Sequence, residues 1–230
     1  MKRFYKAATA APTETGFTVA LDGRAIRTPA TTPFIVPTLA LAQAIAAEWE
    51  AQEGGLDHSV MRLTTLAYAA LDRTRISRPM VIEETAAYAG SDLLCYRADD
   101  PQELLEEQTK AWQPLLDWAA SDLQIDLTVA RGIVRVTQSD AALQTAKDLV
   151  AACDNFALAA VDRMTHITGS LIIALAVLRG RLQAEEAYEI SHMEDRWQTK
   201  LWGTDEEAEE RHNIRIAEMV AAQKFVIALG

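Results

Sequence analysis

The sequence is poor in cysteine, in glycine and proline, and in long apolar runs, and each shortage excludes a class of protein. Only Cys95 and Cys153 occur in 230 residues, which is too few for a disulfide framework and indicates a reducing compartment. With 10 glycines, 7 prolines and 50% hydrophobic residues, extensive disorder is not expected. The longest apolar run, residues 171–178, is too short to cross a bilayer. We therefore expect a soluble globular protein without stable membrane association.

Basic residues are also in short supply, because 22 lysines and arginines face 33 acidic residues and give a net charge of -11. Nucleic acids and anionic membranes are poor partners for such a surface, since binding to them depends on neutralising phosphates. The charge suits solubility or a basic partner surface. The first ten residues lack the apolar stretch of a signal peptide. We expect a cytoplasmic protein, or a mitochondrial matrix protein if the chain is a processed eukaryotic one.

Sequence motifs of common enzyme classes are missing. There is no dinucleotide or phosphate-binding glycine loop, no Gly-x-Ser-x-Gly elbow and no His-Glu-x-x-His pair. His192 and Glu194 could together ligate a metal in a hydrolase, but residues two apart on a helix face different directions. We expect no catalytic residue, cofactor or metal, and keep the metal-dependent hydrolase as an alternative.

The pattern of the chain changes near residue 36. Before it, short β-type segments at residues 4–5, 16–21 and 24–28 surround Asp22-Gly23, a strong tight-turn signal. After it, apolar residues recur with helical spacing. The predicted fold class is α+β, with a small N-terminal antiparallel β domain at 1–36 and a larger, mainly α-helical domain at 37–230.

Helix boundaries within the second region follow from capping signals and glycines. Residues 123–136 interrupt the helices as a predicted short strand or strand pair, and residues 155–179 are predicted as one long helix whose end, 171–178, is buried on all sides. The predicted helix starts are the caps Thr38 and Ser59, the first-turn proline Pro79, capping boxes at 100–103 and 204–207, and a start near Ser139.

The segment 187–203 contains an unexpected charge. Read as a single helix, it places Ala187, Ile190, Trp197 and Leu201 on one apolar stripe with Glu194 in the middle. A carboxylate at such a position needs a partner, and that partner can be structural or functional. The residues alone leave the choice open.

Several segments in the same order resemble the ATP12 family, the chaperones of mitochondria and alphaproteobacteria that bind the free alpha subunit of the F1 sector of ATP synthase. The C-terminal signature lies at Glu194, Gln198 and Trp202-Gly203. Residues 126–145 match poorly. The other matches are Glu48-Trp49 and Gln52 in 39–52, the segment 61–66 with Asp72, the segment 92–97, and Trp112, Pro114, Asp117 and Trp118.

The resemblance implies a β domain on a helical domain, no catalysis, and a client, the unassembled alpha subunit, that is kept from aggregating until it pairs with beta. It also implies an acidic residue required near the C-terminus, best matched by Glu194. The expected partner-binding residues are Glu194, Gln198, Trp202, Glu48 and Trp49. The missing presequence points to a bacterial member, and we expect a monomer when free. A general acidic adaptor with other clients stays as a further alternative.

Overall fold

The computed structural model describes residues 2–132, 134–203 and 206–230, with only the backbone described at 201 and 202. Five strands and ten α-helices lie in these ranges. The strands are β1 (Ala8–Thr13), β2 (Gly16–Leu21), β3 (Arg24–Ala25), β4 (Tyr96–Arg97) and β5 (Ala130–Arg131). The helices are α1 (Leu39–Glu50), α2 (Arg62–Tyr68), α3 (Arg78–Ala87), α4 (Gln102–Asp122), α5 (Asp140–Ala152), α6 (Asn155–Thr168), α7 (Leu171–Leu178), α8 (Ala184–Ser191), α9 (Met193–Trp202) and α10 (Glu206–Leu229). The predicted α+β class is confirmed.

The N-terminal strands form an antiparallel sheet in the order β1-β2-β3, on which α1 packs. Asp22 and Gly23 make the predicted turn, with φ values of 49° and 83°, the left-handed backbone that a two-residue hairpin loop requires. The strand predicted at 4–5 is wrong, because residues 4 and 5 are not in a strand and β1 begins only at Ala8. Just before β1, the Asp22 carboxylate accepts from the backbone of Lys6 and Ala7. Likewise β3 is shorter than the predicted 24–28.

The structure confirms the predicted helix cap at Thr38 but not the one at Ser59. Thr38 caps α1 by accepting from the backbone of Leu41, which confirms that cap. Ser139, where a helix start is predicted, caps α5 in the same manner. Ser59 does not cap α2, because its hydroxyl bonds to Asp57 and the helix begins three residues later.

Neither of the two predicted capping boxes is confirmed. The one at 100–103 is wrong, because α4 follows Pro101 without a side-chain cap. The second, at 204–207, includes residues 204 and 205, which lie outside the described residues.

The long helix predicted at 155–179 is two helices. Gly169 has a φ of 68°, which ends α6, and the Ser170 side chain then accepts from the backbone of Ile173 and starts α7. Asp92 adds a second cap by accepting from the backbone of Ile172. Burial of α7 on all sides is confirmed, since Leu171 to Val177 are all buried. The strand predicted within 123–136 is β5, which pairs in parallel with β4.

Two compact units divide the chain. The first comprises residues 1–78, 154–160 and 221–230, and the second comprises 79–153 and 161–220. The boundary suggested by the sequence after residue 36 does not coincide with this division, and it stays a prediction about domains. Within the described ranges, no helix is both long and apolar enough to pass through a membrane.

Candidate partner-binding site

The segment predicted as one helix over residues 187–203 is broken at His192. Helix α8 ends at Ser191, His192 has φ −113° and ψ 30°, and α9 starts at Met193. Ala187 is buried on α8, whereas Trp197 on α9 is half-buried and Glu194 is exposed. The predicted continuous stripe is therefore wrong, and Glu194 lies in the first turn of a new, largely exposed helix. A negative charge is favourable there because of the helix dipole.

Local side-chain contacts stabilise the break. The Ser191 hydroxyl donates to the carbonyl of Tyr188 at 2.8 Å and lies 2.9 Å from Nδ1 of His192. The imidazole of His192 stacks on the ring of Tyr188 with 4.0 Å between centroids. Burial lowers the pKa of His192, which favours the neutral form of the ring. The Tyr188 carbonyl thus accepts from the Ser191 side chain as well as from the backbone amide of His192 at 3.2 Å, and these local contacts lie where α8 ends.

Helix α4 holds both sides of the break. The indole nitrogen of Trp112 donates to the backbone carbonyl of Ile190 at 2.7 Å. One turn earlier, the amide nitrogen of Gln108 donates to Oε1 of Glu194 at 2.9 Å. The amide oxygen of Gln108 accepts from the backbone of Ala98 at 2.7 Å. Glu194 is thus exposed to solvent, and among the described residues its hydrogen bond to Gln108 involves one carboxylate oxygen.

Gln198 is also exposed and lies one turn after Glu194 on α9, so both can meet the same partner. It additionally lines a cavity of about 1000 Å³ between α8, α9 and the start of α10. Charged and aromatic groups line that cavity, among them Tyr188, His192, Arg196, His212 and Arg215. The side chain of Trp202, the third predicted member, lies outside the described residues.

Glu48 is engaged inside the first compact unit. Its carboxylate accepts from the backbone of Leu63 and Thr64, at 2.7 and 2.8 Å, and from the Thr64 hydroxyl at 2.8 Å. These are the free amides of the first turn of α2, so Glu48 does what the sequence assigned to Ser59. Burial raises the pKa of Glu48, and the three hydrogen bonds oppose that rise. Partner binding by Glu48 stays a prediction.

Trp49 belongs to the core of the same unit, with 5% of its surface exposed. Its ring lies 5.8 Å from that of Tyr5, whose hydroxyl donates to the Trp49 carbonyl at 2.6 Å. This packing explains an aromatic residue here without a partner protein, and contact with a client stays a prediction.

Gln108 and Trp112 contact the candidate segment, but the sequence analysis did not select either as a site residue. The signal was present, because Gln108 interrupts the apolar face of α4 between Leu104 and Trp112 at spacings of four residues. A buried glutamine at such a position needs hydrogen-bond partners. Across the part of the chain that the structure describes, no group of three or more His, Cys, Asp or Glu could hold a metal ion.

Comparisons with known proteins agree on one family. The family model described as ATP12 chaperone protein matches residues 2–120. The mitochondrial protein atp12 of Schizosaccharomyces pombe is 26% identical over 220 residues, which are 90% of this chain and 76% of that protein. The crystal structure of Atp12 from Paracoccus denitrificans is 38% identical, covers 100% of this chain and 98% of that chain, and has a TM-score of 0.94. A mutant of P. denitrificans Atp12p, with the same identity and coverage, has a TM-score of 0.93. With over half of the sequence matched by the family model and the whole chain matched in structure, the chain belongs to the ATP12 chaperone family, whose members are assembly chaperones and not enzymes.

Proposed function

We propose that this protein is an assembly chaperone of the F1 sector of ATP synthase, and that it binds the unassembled alpha subunit until that subunit pairs with beta. Membership of the ATP12 family supports the assembly role. An unassembled subunit exposes an apolar interface that aggregates unless it is covered. The chaperone works in the cytoplasm of a bacterium and is monomeric when free.

The proposed binding site lies on the exposed first turns of α9. Glu194 and Gln198 lie there, both exposed, on a helix whose start is tied to α4 by the Gln108 hydrogen bond. A charged group presented on a fixed helix gives discrimination between partners, while surrounding apolar contacts give affinity. Trp202, at the end of the same helix, is proposed as the apolar anchor beside them. Glu48 and Trp49, in the first compact unit, are proposed as further partner-binding residues.

The test is co-expression of the chain with the alpha subunit, followed by co-purification and measurement of affinity. The wild type is expected to keep the alpha subunit soluble as a 1:1 complex. Glu194→Lys should leave the circular dichroism spectrum unchanged and abolish the complex, because it reverses the charge at the proposed contact. Asp195→Lys is the matched control, since Asp195 is also exposed in the first turn of α9 but points about 100° away around the helix.

Two outcomes would contradict the proposal at different levels. A folded Glu194→Lys variant that still forms the complex would remove α9 as the contact. A wild-type chain that captures other proteins from lysate in place of the alpha subunit would favour the general acidic adaptor.

A further inference from the structure

Gln108 is a fully buried polar residue, with 0% of its surface exposed, in the apolar face of α4. Both ends of its amide are used. The oxygen accepts from the backbone of Ala98, just after β4, and the nitrogen donates to Oε1 of Glu194. Because the first bond fixes the amide plane, the second donor points in one direction. That direction leads to the exposed carboxylate of α9.

Trp112 lies one turn further along α4 and donates to the last turn of α8. The two side chains therefore reach α8 and α9 from one face of one helix, on either side of the break at His192. A carboxylate in the first turn of a short, exposed helix would otherwise sample several rotamers. The bond from Gln108 selects one of them.

Only one oxygen of Glu194 is engaged in this way. Among the residues that the structure describes, no hydrogen bond to Oε2 is found, and the side chain is exposed. A carboxylate held at one oxygen presents the other to a single incoming donor. With a net charge of -11, the electrostatic environment favours a cationic donor over a neutral one.

We propose that Gln108 is a positioning residue for Glu194, and that the group which Glu194 receives is a lysine or arginine side chain of the client. This inference rests on the proposed function and deepens it, because it names the chemistry of the contact and the group that orients it. Gln108 itself is buried and touches no client.

The experiment measures affinity for purified alpha subunit with the full chain and four variants: Gln108→Leu, Glu194→Gln, both together, and Gln102→Leu. Gln102 is the matched control, because it also donates to a carboxylate on α4, that of Glu106 at 3.0 Å, but in solvent. Gln108→Leu and Glu194→Gln are each expected to weaken binding about tenfold, the typical effect of one charge-assisted hydrogen bond. The double variant should weaken it little further, since both act through one contact. Gln102→Leu should bind like the wild type.

A second experiment tests whether Gln108 positions Glu194 or only stabilises the fold. It also replaces the first experiment if Gln108→Leu does not fold. Combining Gln108→Glu with Glu194→Gln exchanges donor and acceptor, so the hydrogen bond can re-form while the exposed carboxylate is lost. This exchanged pair should be closer to the wild type in thermal stability than Gln108→Glu alone, yet still bind weakly. Recovery of full affinity together with stability would show that Gln108 acts only structurally, and would overturn the inference.

The remaining outcomes distinguish this inference from the proposed function. No binding of the alpha subunit by the wild type would end the proposed function itself. Binding by the wild type that is lost in Glu194→Gln but retained in folded Gln108→Leu would overturn the positioning role alone. Equal salt dependence of binding for the wild type and Glu194→Gln would overturn the cationic contact, because an ion pair weakens as salt rises.

Discussion

The indole nitrogen of Trp112 donates a 2.7 Å hydrogen bond to the backbone carbonyl of Ile190, 78 residues away in the sequence. Trp112 is 1% exposed, so the indole donor is shielded from water. It occupies a carbonyl near the end of α8, where the helix itself provides no donor. A residue far away in the sequence therefore helps to determine where α8 ends.

Trp112→Phe keeps an aromatic ring in the core but removes this donor. We expect the free energy of unfolding to fall by about 1–3 kcal/mol, because the Ile190 carbonyl loses this partner and the smaller ring fills less space. Urea unfolding followed by circular dichroism measures the change. Trp118→Phe is the comparison, since the Trp118 indole has no hydrogen bond among the described residues; an equal loss there would argue against a role for the bond.

Glu48→Ala removes the cap of α2, leaving two backbone amides without their acceptor. The expected loss is about 1–2 kcal/mol, in the range of a lost helix cap. Glu53→Ala, an exposed change shortly after α1, should leave the stability nearly unchanged. Affinity for the alpha subunit is then measured on the folded fraction. A loss of affinity beyond the loss of folded protein would assign Glu48 a direct contact with the client.

Asp92 gives the stability a pH dependence. Its carboxyl is fully buried, and burial raises its pKa to about 6 despite hydrogen bonds that favour the charged form. Because the folded chain holds this proton more tightly than the unfolded chain, the stabilising contribution is complete below pH 4. It is lost as the pH rises through 6.

Asp92→Asn removes this titration. The difference in unfolding free energy, wild type minus variant, should therefore fall between pH 4 and pH 6 and level off above pH 7. The slope stays below the limit of about 1.4 kcal/mol per pH unit that a difference of one whole proton would give. Urea titrations at several pH values give the curve, and a difference that is constant with pH would contradict the assignment.

Gly169→Ala tests the break between α6 and α7. With φ at 68°, a Cβ at this position is strained although space is available, the nearest atom being the Leu93 Cβ at 3.8 Å. We expect a loss of about 1–2 kcal/mol, seen as a lower melting temperature. Gly90→Ala is the matched control, because Gly90 has no left-handed φ and also has room for a methyl group. Equal losses in both variants would contradict the explanation.

Much of the fold could be predicted because the relevant signals are local. The turn at Asp22-Gly23 depends on the backbone preferences of those two residues. The Thr38 cap depends on a hydroxyl that accepts a hydrogen bond from a backbone amide three residues later. Burial of α7 follows from an apolar run without a polar face. Where a local signal failed, as at Ser59, a distant side chain had replaced it: Glu48 caps α2 from the end of α1.

The candidate site likewise combines features set by local sequence with features set by distant side chains. The sequence by itself determined that a carboxylate at Glu194 and an amide at Gln198 are spaced one helical turn apart near the C-terminus, and it determined the chaperone family. Only the tertiary structure decided that the helix restarts after His192, that Glu194 faces solvent, and that Gln108, 86 residues earlier, holds one of its oxygens. The reason is physical: helical periodicity describes contacts within a few residues, whereas a break and a side-chain orientation depend on hydrogen bonds from another element.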